Sequence, residues 1–313
     1  MQCYFNGTLL ISVLPPLLVT EFVLGVLGNG FALWTFCFHP KPWKSSTVLI
    51  FNLALADFLL NMALPFRASY YNSEITWKFG SALCNICLFT LAMNRSGSAF
   101  FLMAIAMDRY MRVVHPHHPI NYLSVSKAIC GALSLWLLTI SMTAHIFTLQ
   151  HNGTYCESFM IETEPLRNLT WCKFEFLFSF IVPLLVILYC TVHIICHLRG
   201  RQLAQLAKIK KALRLITVVA VLFIICFLPS NIMQLVIWIK VRTLPESQIC
   251  PALEDSTTAF YIAISLTYLN SALDPVVYYF SSPAFKNICS RALHLPRADT
   301  IESGEKKTQD TGF

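Results

Sequence analysis

Seven apolar stretches, at 11–38, 46–70, 81–113, 127–149, 173–198, 212–240 and 256–280, dominate this chain and leave little sequence between them. An α-helix needs ~20 predominantly apolar residues to cross a hydrocarbon core of ~30 Å, and each stretch meets that length. Composition carries the same message. Of 313 residues, 56% are hydrophobic and 12% charged, against ~25% charged in soluble domains. The fold class that follows is an all-α membrane protein, a seven-transmembrane helix bundle with a short C-terminal amphipathic helix. Its organisation reads as an extracellular N-terminus at 1–10, a membrane domain at 11–280, an amphipathic interfacial helix at 281–294 and a disordered cytoplasmic tail at 295–313. Pro15, Pro16, Pro65, Pro183, Pro229 and Pro275 fall inside the stretches. Within a bundle, neighbouring helices and water re-satisfy the carbonyls that such prolines free. The first stretch has no basic leader and no small-residue cleavage site, so it reads as a span rather than a signal peptide.

Lysine and arginine in the connections set the expected orientation. One side carries Lys41, Lys44, Arg109, Arg112, Lys127, Arg199, Arg201, Lys210 and Lys211. The other carries Glu74, Glu157, Glu162, Glu164, Glu246 and Glu254 among fewer cations. The basic side is expected in the cytoplasm, which puts the N-terminus outside a plasma membrane. The sequons at Asn6, Asn152 and Asn168 then share the outer face, where glycosylation can occur. Cys37, Cys87, Cys130, Cys190, Cys196 and Cys226 lie in apolar runs, where thiols behave as small hydrophobes. Cys3, Cys84, Cys156, Cys172 and Cys250 fall in or beside the outer segments.

Polar residues inside the spans are the functional candidates, since a charge at mid-bilayer costs ~2.5–3.5 kcal/mol on insertion scales. Asp57, Asn94, Ser98, Asn270 and Asp274 are deep, with Asn94 and Ser98 on one helix face. Two carboxylates among neutral oxygen donors suit a sodium ion acting allosterically; a water-filled network with one protonated Asp is the alternative. No other cofactor is expected. Arg95 and Arg109 share a face of the third span, ~21 Å apart by helix rise. Arg109 sits between Asp108 and Tyr110, where the neighbouring carboxylate can hold it until a partner arrives, or it simply snorkels to the interface. Arg95 lies ~16 Å below Cys84, too deep to snorkel. With Arg67 near the outer end of the second span, it suits bidentate binding of a carboxylate. An internal ion pair of Arg95 with Glu21 is the competing account.

At these residues the chain resembles the class A, rhodopsin-like G-protein-coupled receptors over all seven spans. The strings that carry the resemblance are Gly28-Asn29, Leu53-Ala54-Leu55-Ala56-Asp57, Asp108-Arg109-Tyr110, Cys226-Phe227-Leu228-Pro229 and Asp274-Pro275-Val276-Val277-Tyr278. Phe227 stands where tryptophan is usual and Asp274 where asparagine is usual. Leu64-Pro65-Phe66-Arg67, Leu91-Ala92-Met93-Asn94-Arg95 and Cys156-Glu157-Ser158-Phe159 are similar to the hydroxycarboxylic acid receptors and the neighbouring oxoeicosanoid receptors. The resemblance implies a small carboxylate ligand, a heterotrimeric Gi/o partner and lowered cAMP, with receptor kinases and arrestin as further partners. It assigns ligand contact to Arg95, Arg67, Ser158, Phe159 and Tyr268, with Leu91 beside them. Gln234 stands where small-acid members carry an arginine, which leaves room for a longer oxidised fatty acid.

The expected switch runs from Phe227 and Pro229 through Tyr278 to Asp108, Arg109 and Tyr110. Disulfides are expected at Cys84–Cys156 and Cys3–Cys250, with Cys172 competing for the second. In the terminal helix Phe285 and Ile288 are expected to face membrane lipid, with Cys289 placed for palmitoylation. No His-x-x-x-His, Gly-x-Ser-x-Gly or phosphate loop occurs, so an enzyme is not expected, nor is a nucleic-acid partner. An organic-anion transporter is the rival from another class, although the two halves show no internal repeat.

Overall fold

The computed structural model describes residues 7–38, 43–148, 155–157, 173–198 and 203–292. Seven helices among them are long and apolar enough to cross a membrane, and no strand occurs among the described residues. They are α1 (Thr8–Phe38), α2 (Ser45–Asn72), α3 (Ser81–Val114), α4 (Val125–Thr143), α5 (Val182–Leu198), α6 (Leu203–Thr243) and α7 (Glu246–Ser281). A short α8, Pro283–Ala292, follows α7. The protein is a multi-pass membrane protein with the expected helical bundle. Its two ends are named here by Cys84, near the start of α3, and by Arg109, near its end.

The helices tolerate their prolines for reasons that can be read atom by atom. Pro275 has no N–H, so the carbonyl of Ser271 one turn earlier loses its helical donor. Asn29 of α1 supplies the replacement, its Nδ2 donating to Ser271 O at 2.8 Å. The two helices can come that close because residue 28 is glycine; a Cβ there would sit 2.6 Å from the Pro275 ring. Before Pro183, the chain widens into a π-turn over Leu177–Ile181, the kind of local bulge that marks functional sites. It carries Ser179 to α3, where its hydroxyl donates to Ser96 Oγ at 2.9 Å. Between α2 and α3, Gly80 adopts φ +81°, a conformation that favours glycine. Trp77 Nε1 donates to its carbonyl at 2.7 Å.

Two buried apolar clusters fill the bundle. One, built around Leu53, Phe101, Ile216, Phe223 and Phe227, serves the Arg109 half. The other, built around Leu60, Leu64, Tyr70, Leu88 and Leu91, serves the Cys84 half. Apolar residues such as Leu27, Leu137, Leu185 and Val192 stay exposed, as they must where the solvent is lipid. One sequence expectation is corrected here. Phe285 of α8 does not face lipid; it is buried against Phe31 (5.7 Å), Phe36 (6.3 Å) and Tyr278 (6.0 Å). The helix is amphipathic, but its aromatic anchor grips the bundle.

Candidate functional site

At the Cys84 end, Cys84 and Cys156 are joined as a disulfide, with Cα atoms 5.8 Å apart. That bond pins the connection between α4 and α5 over the top of α3. The next residue, Glu157, is thereby carried onto α2. Its Oε2 lies 2.9 Å from Arg67 Nη2, with both side chains at most 5% exposed. Arg67 also donates to Cys156 O (2.6 Å) and to the Tyr71 hydroxyl (2.8 Å). The Tyr71 hydroxyl in turn donates to Glu157 Oε1 (3.1 Å). The guanidinium lies 5.1 Å from the ring centres of both Tyr70 and Tyr71, within cation–π range. Every demand of this buried cation is met inside the protein.

Arg95 is served differently. It is half-buried on α3, and its hydrogen-bond partner among the described residues is a neutral amide, Asn231 Oδ1, at 3.1 Å. Glu21 does not pair with it. That carboxyl group is 1% exposed on α1 and has no hydrogen-bond partner among the described residues. Asn231 itself donates to Phe227 O at 2.7 Å, across the kink at Pro229. So the amide that touches Arg95 is fixed to the hinge of α6. Leu91, Tyr268 and Gln234, the other expected ligand contacts among the described residues, are all buried. Tyr268 is within electrostatic reach of Arg67 and Arg95 together. Ser158, Phe159, Cys172, the sequons at Asn6, Asn152 and Asn168, and the Cys3–Cys250 bridge lie outside the described residues.

Beneath Arg95, the deep polar residues form one network. The Asp57 carboxylate accepts from Asn94 Nδ2 (3.1 Å), Ser98 Oγ (3.2 Å) and the Tyr278 hydroxyl (2.9 Å). Asn270 Nδ2 donates to Asp274 Oδ2 at 2.8 Å. Asp57 and Asp274 are both fully buried. Asp274 Oδ1 and Asn270 Oδ1 are buried acceptors with no partner among the described residues. On α6, Phe223 and Phe227 stack at 4.7 Å, and Phe180 of the π-turn stacks on Phe223 at 6.1 Å.

At the Arg109 end, Asp108 is held mainly by Arg112, whose Nε lies 3.0 Å from both carboxylate oxygens. Arg112 also donates to Ser45 Oγ at 2.8 Å. Arg109 reaches Asp108 at 3.6 Å and Ser281 Oγ at 3.4 Å. The Tyr110 hydroxyl is 3.2 Å from His115 Nε2. Sequence reasoning missed Arg112, although an Asp–Arg pair four residues apart on a helix is a readable signal. It also missed Asn231 and Glu157, which only the tertiary fold brings to the arginines.

Residues 28–278 match the family described as 7 transmembrane receptor (rhodopsin family). This chain is a rhodopsin-family seven-transmembrane receptor. Within that family it falls with the hydroxycarboxylic acid and oxoeicosanoid receptors. It is 46% identical to human hydroxycarboxylic acid receptor 2 over 297 residues, covering 93% of this chain and 80% of the relative. Human hydroxycarboxylic acid receptor 1 is 45% identical over 314 residues, 98% and 87% of the two chains. Human oxoeicosanoid receptor 1 is 39% identical over 300 residues, 94% and 76%. The receptor is not an enzyme; members of this family bind a small molecule and act through a G protein.

Proposed function

We propose that the receptor binds an extracellular carboxylate through Arg95 and couples to a Gi/o protein, lowering cAMP. One observation carries this reading. A half-buried guanidinium about three turns below Cys84 has a neutral amide as its partner among the described residues, in a protein that gives Arg67 a buried carboxylate. A ligand carboxylate supplies the missing bidentate partner. Relatives named for hydroxycarboxylic acids favour the same ligand class. The basic connections favour an N-terminus outside, which would make the Cys84 end the mouth of the pocket at the plasma membrane.

Ligand binding shifts a conformational balance only through differential affinity for one state. A carboxylate on Arg95 competes with Asn231 for the same donors. Releasing Asn231 loosens α6 at Pro229, where Phe227 and Phe223 stack. Tyr278 links the Asp57–Asp274 network to the Arg109 end. Movement of α6 then frees Arg109 and opens a cleft to the G protein beside Lys210 and Lys211, which are already exposed. The unpartnered oxygens of Asp274 and Asn270 suit a sodium ion, which would stabilise the closed arrangement by supplying the charge between two carboxylates. Kinases and arrestin would act on the tail beyond α8, glycans on the outer sequons, and an acyl chain on Cys289. Gln234, a buried neutral side chain on α6, and the likeness to an oxoeicosanoid receptor favour a second version, in which the acid is a longer oxidised fatty acid.

The test is a cAMP assay with a series of short and long carboxylic acids beside their methyl esters. The acids should act and the esters should be at least about tenfold weaker, the effect of removing one charge-assisted contact. Equal potency of acid and ester would remove the carboxylate reading. Ligand uptake without G-protein activation would favour the transporter.

A further inference from the structure

The cage around Arg67 has the composition of a carboxylate-binding site with its ligand already in place. A guanidinium donates 2.9 Å to a carboxylate oxygen, a tyrosine hydroxyl closes on the second oxygen, and two aromatic rings flank the cation. The carboxylate is not a guest. It belongs to Glu157, one residue past a cysteine that the disulfide fixes to α3. We propose that Glu157 is a specificity-determining residue: a tethered carboxylate that fills the Arg67 subsite and restricts the receptor to ligands with one acidic group.

The argument is one of charge and place. Arg67 and Arg95 lie on α2 and α3, which pack against each other, and Leu64, Leu91 and Tyr268 from α2, α3 and α7 meet in one buried cluster. Two free guanidiniums there would reward an acid at each end of a ligand. With Glu157 in place, a second ligand carboxylate meets a neutralised arginine and a buried negative charge, and like charges at close range cost affinity. Because the disulfide holds Glu157 at high effective concentration, a free carboxylate competes poorly with it. A monocarboxylate is unaffected, because it uses Arg95 alone.

This inference rests on Arg95 accepting a ligand carboxylate, and the monocarboxylate arm of the experiment reads that premise by itself. Full-length receptor, normalised for surface level, is assayed for cAMP with straight-chain monocarboxylates and the matching α,ω-dicarboxylates. Wild type should answer monocarboxylates and ignore dicarboxylates of every length. Glu157→Gln should keep the monocarboxylate potency and gain a dicarboxylate response about tenfold or more stronger, one charge-assisted contact. Adding Arg67→Gln should abolish that gain. The exchanged pair, Arg67→Glu with Glu157→Arg, restores one charge of each sign; at the cell surface it should behave as wild type toward monocarboxylates.

A Glu157→Gln receptor that answers monocarboxylates but gains no dicarboxylate of any length overturns the inference. So does a gain that survives removal of Arg67. Loss of the monocarboxylate response in a surface-expressed exchanged pair would place Arg67 or Glu157 in direct ligand contact, and would also overturn it. Silence of wild type toward every monocarboxylate would instead remove the premise, and the inference with it.

Discussion

Arg67 and Arg95 carry the same guanidinium on neighbouring helices of one bundle, and their surroundings differ most in the charge of the partner. Arg67 meets an acidic partner supplied by the chain; Arg95 meets a neutral one. Burial of an unpaired charge is expensive enough that folded proteins rarely leave it so. A protein that builds a complete cage for one arginine can build one for the other. Glu21, buried and without a partner among the described residues, shows that a carboxylate is even present in the same bundle without being used for Arg95. The difference supports the proposed division of labour, in which Arg67 holds Glu157 against α2 and Arg95 is left for a ligand.

The strongest way to break that contrast is to remove the fastened arginine. Arg67→Ala strands Glu157 as a buried carboxylate, and breaking a buried pair from one side costs about 3–5 kcal/mol. Surface expression and the Tm of detergent-purified receptor should fall well below wild type, whereas Arg95→Ala should leave both close to wild type. If the two variants lost stability equally, Arg95 would have a structural partner of its own. A smaller effect should follow from Asn231→Leu. It removes a hydrogen bond worth about 1 kcal/mol that competes with the ligand and steadies the α6 hinge. Basal signalling and carboxylate potency should both rise several-fold; the potency gain should vanish when Arg95 is also replaced, whereas Arg95→Ala alone should raise basal signalling as Asn231→Leu does. A further basal rise when Asn231→Leu is added to Arg95→Ala would locate the restraint elsewhere on α6.

Sequence alone resolved the parts of this molecule that depend on local composition. Seven spans follow from runs of apolar residues, and the membrane dictates that such runs become helices. The depth of Asp57, Arg95 and Asp274 follows from position along those helices, and the Cys84–Cys156 bridge from the resemblance to a known family. The contacts that give the arginines their separate roles do not. Arg67 and Glu157 are 90 residues apart, Arg95 and Asn231 are 136 apart, and no periodicity connects them. Phe285 shows the complementary limit: the pattern marks α8 as two-faced, but lipid and bundle are equally apolar, so the pattern cannot say which one the aromatic face prefers. Arg112 marks a different kind of miss. It was legible four residues from Asp108, yet a familiar tripeptide drew the reading to Arg109.

The measurement closest to the central claim compares carboxylate potency on Arg95→Ala and on the exchanged Arg67–Glu157 pair, with each receptor counted at the cell surface. The account predicts that Arg95→Ala loses at least about a hundredfold in potency, the loss of a bidentate charge-assisted contact. Arg95→Lys should recover little of it, because an ammonium cannot reproduce the fork, and the exchanged pair should match wild type. Unchanged potency of a surface-expressed Arg95→Ala receptor would contradict the account and move the anchor away from α3.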